Sequence, residues 1–385
     1  MKKICVVVGS RANYSSIKST IKAIQTHKKL KLILVLCASA VLDKYGSIEK
    51  QIKNDGFKVD ESIFTLIDGG NPVTMAKSTG LGMIELTTVF KKKKPDIVIT
   101  VGDRFETMST VLSAAYMNIP IAHTMGGEIS GTIDESIRHA ITKFSHIHFP
   151  ASKEAYNRII KLGENKKNVF LVGCPRIDLV KSILENKKIK DLDKAINSTG
   201  VGDKVDLSED FLLISQHPVT TEYELASIHI QETIMALEKL KIPSIFLWPN
   251  ADAGSEKMIK SIRSFRERGI KCKIRFIKNV PVDHYVHLMK KTKCLVGNSS
   301  SGIREGGYIG TPVVNIGTRQ QGRERANNVI DCSNRSSAIV NAIRRQIKKK
   351  KYKSVKTYGD GMAGKKIAEI LSNIKNVKVQ KKITF

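Results

Sequence analysis

Between His123 and Lys143 the chain reads HTMGGEISGTIDESIRHAITK: two His, one Arg and three carboxylates in 21 residues, directly after an apolar run. Carboxylates at the mouth of a cleft serve as proton donors and acceptors. Gly126, Gly127 and Gly131 allow close approach of backbone to a ligand. The stretch also has a purely structural reading. Thr132 and Glu135 have the spacing of a capping box. Ile133, Ile137, Ala140, Ile141 and Phe144 line one face of a helix. Asp134 and Arg138, four apart, can pair on its surface. The apolar face makes the helix; Glu128 in the loop, with Asp134 and Arg138 beyond it, remains for chemistry.

Other strand-to-helix turns carry similar groups. GDRFE follows the run DIVITV and offers Asp103, either as an N-cap or as a site carboxylate, and Arg104 beside it. GNSSSGIREGG places Ser299 and Ser300 between a strand and a helix start, where free N–H groups and the helix dipole hold an anion. Glu305, one turn later, can accept from a ribose diol. His217 in SQHPVTTE and Arg319 in GTRQ also end strands. Neither GxxxxGK[ST] nor GxGxxG occurs, so neither a P-loop nor a nicotinamide cofactor is indicated. His146 and His148 alternate along a strand without a third ligand near them in sequence, so no metal set is read.

These turns need a frame. ICVVVG, KLILVL, DIVITVG, IPIAHT, HIHFP and NVFLVG read as buried parallel strands alternating with helices. After the polar stretch from Glu185 to Asp210, a candidate linker, FLLISQ, PSIFLWP, KIRFIK, KCLVGN and PVVNIG resume the pattern. The expectation is an α/β protein of two domains, 1–185 and 205–360, with site loops beyond the carboxyl ends of the strands facing a cleft. One more helix is expected near residues 363–374.

The bulk properties narrow the partners. No apolar run reaches the ~18 residues of a membrane span, and the N-terminal apolar run is too short for a signal peptide, so a cytoplasmic protein is expected. The six cysteines form no CxxC pair and sit in or beside apolar runs, as reduced core thiols do. The net charge of +29 invites a nucleic-acid reading, but the lysine runs lack interleaved aromatics; an affinity for anionic ligands fits better.

The motifs GDRFE, GGEISGTIDESIRHAITK, GCPRID, QHPVTT, PNADAGS, GNSSSGIREGG, GTPVVNIGTRQQGRE and YGDG together resemble the hydrolysing UDP-N-acetylglucosamine 2-epimerases, nearest to the epimerase half of the animal bifunctional enzyme. The chain ends at Phe385 without a kinase domain, so kinase activity is not expected. The resemblance implies the glycosyltransferase-B architecture, two Rossmann-like domains around a cleft, with the last helix (362–385) packing back on the first. It implies conversion of UDP-GlcNAc and water to ManNAc and UDP, through C2 deprotonation, loss of UDP to 2-acetamidoglucal and hydration, as in sialic-acid biosynthesis. No metal or cofactor is needed, and the partner is a second copy, in a homodimer or homotetramer. By position, Asp103 and Asp134 match catalytic carboxylates, Arg138 the neighbour of the second, and His217 the active-site His. Arg11, Ser15, Arg104, Asn250, Ser299, Ser300, Glu305 and Arg319 match substrate contacts.

Three departures stand out. Met125 replaces a Glu assigned acid/base work, Asn13 replaces an Asp, and Ala40 replaces a His. Glu128 is the carboxylate available to cover the loss at Met125. The changes point to an alternative substrate, a UDP- or GDP-linked N,N′-diacetylbacillosamine. A non-hydrolysing epimerase is disfavoured because HTMGGEISG stands where that family has HVEAGLR. A glycosyltransferase would share the architecture, and a sugar-nucleotide-binding protein without turnover would explain the loss at Met125.

Overall fold

The computed structural model describes residues 1–384 except 44–47, 70, 131, 132, 187, 188, 190, 250, 251, 279 and 350. The chain divides into two compact units. The first comprises Met1–Glu128, Ile133–Leu179 and Tyr358–Phe385, the second Ile129–Thr132 and Val180–Thr357.

The first unit is built on β1 (Lys2–Val8), β2 (Leu30–Leu36), β3 (Glu61–Ser62), β4 (Ile97–Val101), β5 (Ile121–Thr124) and β6 (Ile147–Phe149). They lie in the order β3-β2-β1-β4-β5-β6, all parallel. The second unit holds β7 (Val201–Gly202), β8 (Leu212–Ser215), β9 (Ser244–Leu247), β10 (Ile274–Ile277), β11 (Cys294–Gly297), β12 (Val313–Ile316) and β13 (Val329–Cys332). Their order is β13-β12-β11-β8-β9-β10-β7, parallel except for β7 on β10. Strands buried on both faces need continuous apolar runs, and Ile4–Val8, Ile97–Val101 and Leu212–Ile214 are such runs, all buried.

The first sheet, and the second apart from its antiparallel edge strand β7, therefore has the doubly wound order 3-2-1-4-5-6. The winding reverses between β1 and β4 in the first and between β8 and β11 in the second. Ligands of such sheets bind at that reversal, beyond the carboxyl ends. The loops at the two reversals begin at Gly9 and Gly102, and at Gln216 and Asn298.

Some sequence expectations change. NVFLVG forms no strand: Val169 makes one isolated bridge to His148, and the chain turns away at Gly173 (φ +91°). The short β3, β7 and β13 were not foreseen, because two to four residues carry little periodicity. The polar stretch 185–210 is not a bare linker; Leu192, Ile196, Val205 and Leu207 are buried there against Phe211 and Leu288.

Two of the motifs do structural work. In GCPRID and YGDG, Gly173 and Gly359 touch: a Cβ on Gly173 would lie 2.8 Å from Gly359 Cα, and Cys174 N–H donates to Tyr358 O at 2.7 Å. Asp178 then accepts from the N–H groups of Ala363 (2.9 Å) and Gly364 (2.7 Å) and from Ser19 Oγ (3.0 Å). That anchors the returning helix Ala363–Asn373 beside the helix Arg11–Thr26.

The C-terminal tail grips the helix Asp134–Phe144. Lys381 Nζ donates to the carbonyls of Lys143 (2.7 Å) and Ser145 (2.5 Å) and pairs with buried Glu164 (2.6 Å). Glu164 also meets Lys143 (2.8 Å) and His148 (3.1 Å). Burial pushes its pKa up, but the three donors outweigh this and bring it down to about 2. A depressed carboxylate pKa stabilises the fold above the unfolded pKa and is lost as pH falls through 4.5 towards 2. Lys381→Met should cost about 1.5–3 kcal/mol at pH 7, the worth of a hydrogen bond to a charged group. In urea titrations the gap from the parent should narrow as pH drops below 4.5. A gap that is constant with pH would refute the role.

Among the described residues no helix is long and apolar enough to cross a membrane.

Candidate functional site

In the first unit, the turn after β4 centres on Asp103. Arg104, not Asp103, holds the N-cap position of the helix Phe105–Tyr116, without a side-chain cap. Asp103 Oδ2 instead receives the guanidinium of Arg138. Arg138 is 1% exposed and its second arm donates to Glu128 O at 2.7 Å. An ion partner of Arg138 thus lies 35 residues away in sequence. Thr132 of the expected capping box lies outside the described residues; Ile133 occupies the cap position. Asp134, half-buried, opens the helix Asp134–Phe144, where a negative charge suits the dipole.

His123 closes a ring behind Asp103. The imidazole is fully buried, and Nε2–H donates to Gly102 O at 3.0 Å, which fixes that tautomer. Nδ1, left as an acceptor, faces Thr142 Oγ1 at 3.3 Å, whose single proton serves either Nδ1 or Arg138 O at 3.0 Å. Desolvation, opposed by the Gly102 bond, takes the His123 pKa down to about 3. A neutral ring therefore braces the residue before Asp103 and the helix turn that carries Arg138.

The glycine loop is shaped by packing. A Cβ on Gly126 would lie 2.6 Å from His123 Nδ1, and one on Gly127 would lie 2.4 Å from Ala155 O. Met125 adopts φ +60°, a conformation costly for a side-chain-bearing residue. It is buried, with Sδ 3.4 Å from Cys174 Sγ. Glu128, 3% exposed, ends the loop.

At the reversal between β1 and β4, Asn13 joins the two strand ends. Its Oδ1 accepts Gly9 N–H at 3.3 Å and its Nδ2 donates to Val101 O at 2.9 Å. An ionised Asp would keep the first bond and lose the second, which gives the departure at position 13 a physical meaning. Arg11 begins the following helix, and Ser15 Oγ donates back to Arg11 O at 3.0 Å. Arg104 Nε meets buried Glu106 at 2.8 Å.

In the second unit, His217 follows β8, is largely buried, and lies 3.5 Å from Ser215 Oγ. Burial, aided by the Arg319 cation and opposed by Asp252, pushes its pKa down to about 3, so the ring is neutral at pH 7. Ser299 caps the helix Ser300–Ile309, and its Oγ lies 2.8 Å from Ser301 Oγ, which in turn meets Tyr285 OH at 2.6 Å. Ser300 is half-exposed at the first helical position, and Glu305 is buried within the helix. Arg319 Nη1 donates to Asn298 O at 3.2 Å, and Nη2 lies 3.9 Å from Asp252. Asn250 lies outside the described residues.

The structure thus gathers Asp103, Glu128 and Arg138 at one corner of the first unit. It gathers His217, Ser299 and Arg319 around Asn298 in the second. Sequence reasoning missed Asn298, Glu106 and the Thr142–His123 brace. The available signal was a polar residue at the end of an otherwise apolar strand.

Known proteins share this organisation. The sequence profile of UDP-N-acetylglucosamine 2-epimerases matches residues 22–372. The UDP-N,N′-diacetylbacillosamine 2-epimerase (hydrolyzing) of Legionella pneumophila is 32% identical over 97% of this chain and 96% of its own. The GDP/UDP-N,N′-diacetylbacillosamine 2-epimerase (hydrolyzing) of Campylobacter jejuni is 33% identical over 86% of this chain and 84% of its own. The UDP-GlcNAc 2-epimerase of Methanocaldococcus jannaschii, solved with UDP-GlcNAc and UDP, superposes with a TM-score of 0.82 at 19% identity, covering 96% of this chain and 99% of that one. The two doubly wound sheets are those of the glycosyltransferase-B-like fold, and the chain belongs to the UDP-N-acetylglucosamine 2-epimerase family, alongside hydrolysing UDP-sugar 2-epimerases.

Proposed function

We propose that this chain hydrolyses a UDP-linked 2-acetamido sugar with inversion at C2. The observation that carries the reading is the Asp103–Arg138–Glu128 corner, built at the sheet reversal of a chain in this family. A carboxylate takes the C2 proton, and the C–H electron pair forms the C1–C2 double bond as the C1–O bond to UDP breaks. Water then adds, hydroxyl to C1 and proton to C2 from the opposite face. Asp103, Glu128 and Asp134 share the proton transfers, with Arg138 holding the first two in place and His217 acting as a neutral hydrogen-bonding group. Arg11, Ser15, Arg104, Asn250, Ser299, Ser300, Glu305 and Arg319 bind the nucleotide and sugar.

The sugar that ranks first is N,N′-diacetylbacillosamine, supported by the names of two relatives at 32% and 33% identity. UDP-GlcNAc, feeding sialic-acid synthesis, ranks second, supported by a relative from Neisseria meningitidis at 28%. A cytoplasmic homodimer or homotetramer is the proposed assembly. Incubation with each nucleotide sugar in deuterated water, followed by NMR, tests this. The expected product is the free 2-epimer with deuterium at C2, plus UDP. A UDP-linked product, or binding without turnover, would overturn the reading.

Glu128→Gln separates a base from a brace. Loss of a proton-transfer group lowers turnover by roughly 10²-fold or more while substrate affinity holds. Turnover and C2 exchange within a few-fold of the parent would leave Glu128 as a brace of the glycine loop.

A further inference from the structure

The residue that binds the second site together is one that the functional reading does not use. Asn298 is 3% exposed and stands at the reversal between β8 and β11. Its N–H donates to Ser215 O at 3.1 Å. Its Oδ1 accepts His217 N–H at 2.7 Å, and its Nδ2 donates to His217 O at 2.8 Å. Its own carbonyl accepts Arg319 Nη1 at 3.2 Å and Gln320 Nε2 at 3.0 Å. One residue thereby ties the ends of β8, β11 and β12.

We propose that Asn298 is a positioning residue for this reaction, clamping the main chain of His217 and seating Arg319 so that both side chains meet the substrate in fixed register. The proposal rests on the reading that His217 acts in turnover. The physical argument is one of donors and acceptors. Both main-chain groups of His217 are held by a side-chain amide 81 residues distant. Only an amide offers an acceptor and a fixed donor side by side at neutral pH. With the amide gone, two buried backbone groups lose their partners, and the 216–219 turn must move to find others. The imidazole moves with it, because its Cα is set by those two bonds.

Two measurements on the full chain test this. The first reads position without activity: the His217 ring is followed by NMR with labelled histidine, through pH, in the parent and in Asn298→Ala. The charged groups facing the ring are Arg319 and Asp252. In the parent the ring should stay neutral down to about pH 3; in Asn298→Ala its midpoint should rise towards 6.5, as the ring leaves its buried seat. An unchanged titration overturns the proposal. The second is a cycle of His217→Asn, Asn298→Ala and the double variant, with turnover of the nucleotide sugar as readout. Coupled residues give non-additive losses. Asn298→Ala should lower turnover at least tenfold alone and less than about twofold on top of His217→Asn. Fully additive losses overturn the clamp. Parent-like turnover in His217→Asn overturns the clamp and the role of His217 together, whereas absence of turnover in the parent, with the NMR shift present, sinks only the proposed function. Asn298→Asp, nearly isosteric, serves the turnover cycle if the alanine variant does not fold; it keeps the acceptor and loses the donor, and Asn298→Ser, which adds no charge, serves the titration.

Discussion

Asp103→Asn should lower turnover by about 10³-fold, within the 10²–10⁴ range for a group that moves a proton in the transition state. The substitution keeps shape and volume but removes the negative charge, and with it both the ability to take a proton and the ionic half of the pair with Arg138. Binding of UDP, read by calorimetry, should stay within a few-fold, since the turn after β4 keeps its other supports: the His123 bond to Gly102 O and the Asn13 bond to Val101 O. The amide still offers an oxygen to Arg138, so the fold should survive with some loss of stability. The decisive comparison is deuterium entry at C2. If Asp103→Asn washes solvent hydrogen into C2 at the parent rate while net turnover collapses, Asp103 serves a later step and the base is Glu128 or Asp134. If both fall together, Asp103 acts in the first proton transfer. Parent-like turnover would remove Asp103 from the chemistry altogether.

How much of this was readable before the fold was known differs from residue to residue. The strands of the two sheets were legible where four or more apolar residues run together, as in Ile4–Val8 or Phe211–Ile214, because burial on both faces of a parallel sheet demands such runs. The placement of Asp103, His217 and Ser299 after strands was legible for the same reason. Partnerships were not. The Asp134–Arg138 spacing is visible in sequence, while the approach of Asp103 to Arg138 depends on β4 and β5 lying side by side. The burial of His217, which takes its pKa down to about 3, is a tertiary property. GCPRID was legible as a family motif, but the use of Gly173 and Asp178 to seat the returning chain was not. Asn298 was hidden among serines with an obvious reading. Met125 was visible as an odd residue, but its left-handed backbone and its contact with Cys174 were not.

Arg138 is the residue whose loss should cost the most in stability. Its side chain is 1% exposed, and a charge so buried persists only with its partners. It joins three segments: the turn after β4 through Asp103, the glycine loop through Glu128 O, and its own helix, whose carbonyl at Arg138 accepts from Thr142. Arg138→Met keeps the apolar stem and deletes the fork. It strips a cation from Asp103 and a donor from the buried Glu128 carbonyl. Breaking a buried pair from one side costs about 3–5 kcal/mol; since Asp103 is 22% exposed and water can reach it, the lower end, about 3 kcal/mol, is expected here. Arg138→Lys keeps the charge but offers one compact ammonium where two directed N–H groups were used. It can satisfy Asp103 or the Glu128 carbonyl, not both at their present positions. Lys should therefore recover part of the stability lost in Met and little of the turnover. The reason is that the Coulombic part of the pair needs only a charge, whereas the relative placement of Asp103 and Glu128 needs the fork. Denaturant unfolding and single-turnover kinetics on the two variants separate these contributions. If Lys restores turnover in proportion to stability, Arg138 acts through charge alone and the geometry of the corner does not depend on its two arms.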